Sequence, residues 1–139
     1  MNSSGYTDVL MSWYRSQQNR GIPKGPEVVE TGYNPKCGDK ITFYVSDDGG
    51  AKIQILYEPQ ACMLCTASAE AVVQYCLDSE LTPDILVQRL SSISGGLFKT
   101  GLYPPAEHTL AETLAHYPAR QTCLTLPWDT LSRALKLLG

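Results

Sequence analysis

Two neighbouring runs of alternating apolar residues constrain this chain most. Ile41, Phe43 and Val45 alternate with Thr42, Tyr44 and Ser46, and Ile53, Ile55 and Tyr57 resume that period after Asp47-Asp48-Gly49-Gly50. A period of two puts every second side chain on one face of a strand. Aspartate and glycine accept the positive φ of a tight turn. The stretch therefore reads as a β-hairpin in an antiparallel sheet. Glu27 to Thr31 is a further short extended candidate.

The flanking segments switch to helical spacing. From Tyr6 to Gln18 the residues Tyr6, Val9, Leu10 and Trp13 recur on one side of a helix, with Gly21 and Pro23 as stop signals. After Pro59, the steps of three and four between Cys62, Cys65, Ala69, Val72 and Cys76 trace one helix face. Its small side chains suit close approach to a neighbour, which makes Cys65 and Cys76 small core residues. Thr82-Pro83-Asp84 reads as a helix start with proline at the first position, running through Ile85, Leu86 and Leu90 before Ser91 and Ser92.

Ser94 to Pro105 reads as a long exposed connection, since Gly95, Gly96, Gly101, Pro104 and Pro105 discourage regular structure. Leu97, Phe98, Leu102 and Tyr103 are apolar for a solvated loop, which suggests that it folds over something or meets a partner. Thr109 to Tyr117 predicts a short helix. Leu124, Trp128, Leu131, Leu135 and Leu138 line one stripe of a last helix, most simply a core stripe.

A chain of 139 residues, 43% of them hydrophobic, encloses one core, so residues 1–139 are expected to form a single domain. Eleven Lys and Arg against fourteen Asp and Glu give a net charge of -3, with no broad positive field for a phosphate backbone. Nucleic acid is therefore not an expected partner. The first twenty residues are too mixed for a leader or a membrane span, and a cytoplasmic location is expected. Five cysteines, at 37, 62, 65, 76 and 123, form an odd set without a secretory signal, which argues against a disulfide scaffold. They are then core residues, metal ligands or nucleophiles, with only His108 and His116 competing for metal.

Asn34-Pro35-Lys36-Cys37-Gly38-Asp39 sets a thiol and a carboxylate two residues apart, with a glycine between them that lets both face one centre. Such a pair can supply half of a tetrahedral zinc site, at about 2.3 Å for sulfur and about 2.0–2.2 Å for oxygen. By itself the hexapeptide reads more simply as a polar turn entering a strand. Cys62 falls at or just before a helix start, and Cys123 just ahead of the last helix, where free amides and the helix dipole favour a thiolate. Cys37, Asp39, Cys62 and Cys123 are thus four short candidate ligands, too widely separated for spacing alone to bring them together. Cys62-Met63-Leu64-Cys65 also matches a CxxC redox pair, as a minor reading.

Taken in order, these stretches resemble a known family. The hexapeptide with its hairpin, Tyr57 to Ser68, and Tyr117-Pro118-Ala119-Arg120-Gln121-Thr122-Cys123 leading into Leu126-Pro127-Trp128 resemble three motifs of the U-type iron–sulfur scaffold family. The chain is more similar to its SufU type than to the IscU type or the amino-terminal part of NifU. It carries the extra stretch around Ser91 to Tyr103, and Thr122 stands where the IscU type has histidine.

The resemblance implies an α+β fold, a three-stranded antiparallel sheet with helices packed beside it and the first helix N-terminal to the sheet. It also implies a Cys₃Asp site of Cys37, Asp39, Cys62 and Cys123 holding Zn²⁺; three thiolates and a carboxylate leave excess negative charge there, for which Arg120 is the candidate counter-charge. The implied partner is a pyridoxal-phosphate cysteine desulfurase of the SufS type, from whose persulfide Cys37 would take sulfur for downstream iron–sulfur assembly proteins or apoproteins. Cys37 is preferred because its loop can swing, while Asp39 would hold the metal. An alternative is a scaffold that assembles a transient [2Fe–2S] cluster on the same residues, and a third reading is a structural zinc domain whose apolar loop binds a partner. Pro59, Gln60 and Ala61 replace the glycines usual before the second cysteine, Cys65 stands where serine is common, and Thr122 replaces a frequent basic residue.

Overall fold

The alternation between 41 and 57 forms two strands of a three-stranded antiparallel sheet in the computed structural model, which describes residues 4–47 and 53–138. The strands β1 (Val28–Asn34), β2 (Asp39–Asp47) and β3 (Ile53–Gln60) lie in that order. The expected turn at Asp48, Gly49 and Gly50 lies outside the described residues. The pairs Val45↔Ile55, Phe43↔Tyr57 and Ile41↔Pro59 face the core together. Because the period is two, the same inward face continues to Asp39, which pairs with Asn34 across β1. The sheet thus ends with a buried carboxylate.

Among the described residues, five helices complete the α+β fold: α1 (Ser4–Ser16), α2 (Met63–Asp78), α3 (Pro83–Gly95), α4 (Pro104–His116) and α5 (Gln121–Leu137). A 3-10 turn, Pro118–Arg120, leads into α5. Helix α5 lies on β1 and β2, α2 packs against α5, α1 and β3, and α3 packs on α5. Among the described residues no helix is long and apolar enough to cross a membrane.

Helix α2 is buried on more than the single face that its cysteine spacing predicts, since Ala67, Ala69, Ala71, Val72 and Val73 are all covered. Small side chains let neighbours approach it from several directions. On one of these sides Ser68 accepts a hydrogen bond from Trp128 Nε1 at 3.0 Å and donates to the Leu124 carbonyl at 2.6 Å, joining α2 to α5. Of the expected stripe, Leu124, Trp128, Leu131 and Leu135 are core, while Leu138 caps the end of α5 and is partly buried. In β1, Gly32 has no room for a side chain, because a Cβ there would fall 1.9 Å from Thr130 Oγ1 of α5.

Several boundaries differ from the sequence expectation. Val9 is exposed, so α1 turns Leu10 rather than Val9 inward, and α1 stops at Ser16 with Gln17 at φ +34°, ahead of Gly21. Helix α3 runs past Ser91 and Ser92 to Gly95, where Ser91 and Ser94 are bonded to Ser132 and Asp129 of α5. Helix α4 begins at Pro104, not Thr109, because prolines at its first positions lack only amides that need no helical partner.

The connection between α3 and α4 is shorter than predicted and its apolar residues turn inward. Phe98 is buried edge-on against Trp128 at 5.6 Å, and Tyr103 lies on Tyr75 at 4.4 Å. Leu97 and Phe98 hold φ of +52° and +66°, a cost of roughly 1–2 kcal/mol each for residues with a Cβ. Burying a phenylalanine, at about 1.5–3 kcal/mol, is of comparable size. The loop therefore folds over its own core, leaving Leu102 as its exposed apolar residue.

Candidate metal centre

The four candidate ligands come from four places that meet at one end of the sheet. The turn after β1 brings Cys37, β2 begins with Asp39, α2 follows β3 with Cys62 as its N-cap, and α5 carries Cys123 in its first turn. Cys123 is thus inside the helix rather than ahead of it. Two helix N-termini face the same point, and their free amides and dipoles favour negative charge there.

The turn at 34–38 is built by its own side chains. Gly38 takes φ +75° and its amide bonds the Asn34 carbonyl at 2.8 Å. Asn34 accepts from the Lys36 amide at 3.2 Å and donates through Nδ2 to Cys37 Sγ at 3.0 Å. Asn34 therefore orients the thiol, a role that the residue pattern alone does not assign; the Asx-turn habit of asparagine is the available signal.

Cys37 Sγ lies 3.0 Å from Asp39 Oδ2 and 3.4 Å from Cys123 Sγ. Ligand atoms of Cys37, Asp39 and Cys123 all fall within 4.8 Å of one another. Cys62 stands at the edge of this group. Its amide donates to Asp39 Oδ1 at 2.9 Å and its sulfur is 3.7 Å from Oδ2, but that sulfur also caps α2, accepting from the Cys65 amide at 3.5 Å. Cys65 and Cys76 are buried in the core, as predicted. His116 stacks on Tyr6 and His108 faces Glu112, so neither joins the cluster.

Electrostatics differ sharply within the group. Burial works against ionisation of Asp39, yet hydrogen bonds from the Cys123 and Cys37 thiols and the Cys62 amide outweigh it and hold the carboxyl below its ordinary value. Burial, then the bonds to Asp39 and Cys37, push the Cys123 thiol up. Arg120, exposed, is held above its ordinary value by a hydrogen bond to Cys123 and by the negative charge that Cys123, Cys62 and Cys37 carry when ionised. A divalent cation reverses the thiol preference, because coordination deprotonates a cysteine. Soft thiolates with one carboxylate suit zinc or iron–sulfur chemistry, and the donor set fits either. Beside it, Leu10, Met11, Met63 and Tyr117 line a groove of about 300 Å³ with Cys62 and Arg120.

Fold and thiol cluster together define a class of α+β domain that gathers cysteines and an aspartate at one end of a three-stranded sheet. Residues 5–124 match the NifU-like N terminal domain, and the chain belongs to that family. It is 29% identical over 136 residues to the iron–sulfur cluster assembly scaffold protein IscU of Thermotoga maritima, covering 96% of this chain and 94% of that one. It is 24% identical over 131 residues to the zinc-dependent sulfurtransferase SufU of Bacillus subtilis, covering 94% and 88%. The crystal structure of FiSufU from Fervidobacterium islandicum, a candidate scaffold protein for the SUF system, superposes with a TM-score of 0.75 at 26% identity, over 96% of this chain and 99% of that one. The relatives carry both names and do not separate the two types.

Proposed function

We propose that this protein is a zinc-bound sulfur acceptor in iron–sulfur cluster assembly, taking persulfide sulfur from a cysteine desulfurase on Cys37. The observation that carries this reading is the asymmetry of the cluster. Cys37 is exposed on a short turn, whereas Asp39 and Cys123 are buried on a strand and a helix, and all three lie in mutual contact. Cys37, Asp39, Cys62 and Cys123 would hold the metal. Zinc in such a site keeps thiols deprotonated without redox chemistry of its own.

In the transfer, the Cys37 sulfur attacks the outer sulfur of the partner's persulfide, the S–S bond breaks, and the partner cysteine leaves as its thiolate. Asn34 orients the attacking sulfur, and Arg120 supplies positive charge beside the remaining thiolates. The groove next to Cys62 gives an incoming segment an apolar surface close to the reacting atom.

Incubation with the cognate desulfurase and cysteine tests the reading. Desulfurase turnover should rise, and one added sulfur atom should map to Cys37. Unchanged turnover with Cys37→Ser would rule out Cys37 as the acceptor.

A second reading rests on the resemblance to the Thermotoga protein, named as a scaffold. There the same four residues receive a transient [2Fe–2S] cluster as cargo and pass it to apoproteins. Anaerobic purification followed by metal and acid-labile sulfide analysis separates the two: zinc near one per chain without sulfide leaves the cluster reading unsupported. The third reading, a zinc domain that binds a partner through its 94–105 loop, loses its feature, since Phe98 and Tyr103 are used by the core.

A further inference from the structure

Cys37 and Cys123 hold their sulfurs 3.4 Å apart although 86 positions separate them in the chain. Their surroundings are opposite, Cys37 being exposed and Cys123 only 2% exposed at the start of α5. A disulfide needs an S–S distance of about 2.05 Å, so about 1.4 Å of approach would join them. The accessible side is Cys37, on an exposed turn in which Gly38 holds φ +75°. Asn34 Nδ2 already fixes the direction of its sulfur from 3.0 Å.

We propose that this pair is a peroxide-reactive modification site, in which Cys37 is oxidised first and Cys123 resolves it to an intramolecular disulfide. The Cys37 sulfur attacks one oxygen of hydrogen peroxide, the O–O bond breaks, and the leaving hydroxide takes up the Cys37 thiol proton as water, giving a sulfenic acid. The Cys123 sulfur then attacks the Cys37 sulfur, the S–O bond breaks, and the oxygen departs as a second water with the Cys123 proton. Two thiols and one hydrogen peroxide thus become one disulfide and two waters.

Access and proximity select this pair over the others. Cys65 and Cys76 are buried in the core, closed to peroxide. Cys62 is half-buried, and its sulfur is turned to the Cys65 amide and to Asp39. Only Cys37 combines exposure with a sulfur neighbour in contact.

The disulfide rests on this geometry alone, while its effect on zinc loading rests on the four-ligand reading. The full chain, as purified with zinc and after chelator treatment, is exposed to hydrogen peroxide, its free thiols are counted, and a non-reducing digest is mapped by mass spectrometry. Chelated protein should lose two of its five thiols and yield a linked Cys37–Cys123 peptide pair, reversed by dithiothreitol. Zinc-loaded protein should yield no such link over the same time. In Cys123→Ser, Cys37 should proceed to sulfinic acid for want of a resolving thiol.

A Cys62–Cys65 link, or sulfinic acid at Cys37 of the unmodified chain without any crosslink, overturns the proposal. If the link forms and the oxidised chain still binds zinc near one per chain, the disulfide stands and the four-ligand reading falls.

Discussion

Cys62 and Cys65 differ by three positions in the chain and by everything else in their surroundings. Cys62 caps a helix beside a carboxylate; Cys65 is fully buried, and burial first, then the nearby Asp39 and thiols, push its thiol well up. Cys65→Ser should therefore keep zinc near one per chain, while burying a hydroxyl costs about 1–3 kcal/mol in urea unfolding. Loss of zinc in that variant would remove Cys65 from the core and put it among the ligands.

Glu107, also nearly fully buried, is a second residue whose surroundings decide its role. It accepts hydrogen bonds from Thr100 N and Oγ1 at 2.7 and 2.8 Å, from the Gly101 amide at 3.0 Å and from the Tyr103 amide. Burial opposes its ionisation, but these bonds outweigh it and lower its pKa from 4.5. Its contribution is complete above that unfolded value and is lost as pH falls through the lower folded one. Urea midpoints should drop below pH 4.5, and Glu107→Gln, weaker at neutral pH, should lose less of its remaining stability over the same acid range.

At this scale Asp39 and the thiols were legible because a thiol two residues from a carboxylate marks Cys37 and Asp39, and places at helix starts mark Cys62 and Cys123. Glu107 and Glu70 were not. Glu70, wholly buried in α2, is held by Asn19, Tyr57 and Gln74, and two of those three partners come from elsewhere in the chain.

Among the elements, the contact between β1 and α5 is the tightest constraint. A Cβ at Gly32 would meet Thr130 Oγ1 at 1.9 Å and Leu126 Cδ1 at 3.1 Å, and Thr130 is itself tied to the Leu126 carbonyl at 2.7 Å. A β-branched side chain held in this way has few rotamers to escape into. Gly32→Ala should destabilise by about 1–3 kcal/mol, the usual range for overpacking, read as a lower urea midpoint with unchanged slope. An unchanged midpoint would show that α5 can slide away at no cost. The hairpin and the stripe of α5 could be read directly, since each repeats one period over several residues. The 96–103 connection could be read in part: its apolar residues left open whether it folds over something or meets a partner, and the ring partners that decide for the core lie on α5 and α2, distant in the chain.

For the molecule as a whole, a metal held by residues 37, 39, 62 and 123, as proposed, would tie a turn, a strand and two helices together. Ligands that bind only the folded state stabilise it in proportion to the logarithm of their concentration over Kd, about 2.7 kcal/mol at a hundredfold excess. Zinc should raise the thermal midpoint and a chelator lower it, and Asp39→Ala should shrink that difference. A midpoint indifferent to zinc in the unmodified chain would count against the proposed site.

The dispersal of these residues also bears on when a site can exist. A chain that has formed only its hairpin offers Cys37 beside Asp39. Cys62 requires the start of α2 in place, and Cys123 requires α5 docked on the sheet. Such long-range closures come late and together. Metal capture by all four would then inspect the finished fold, so that a misfolded or half-made copy would stay unloaded.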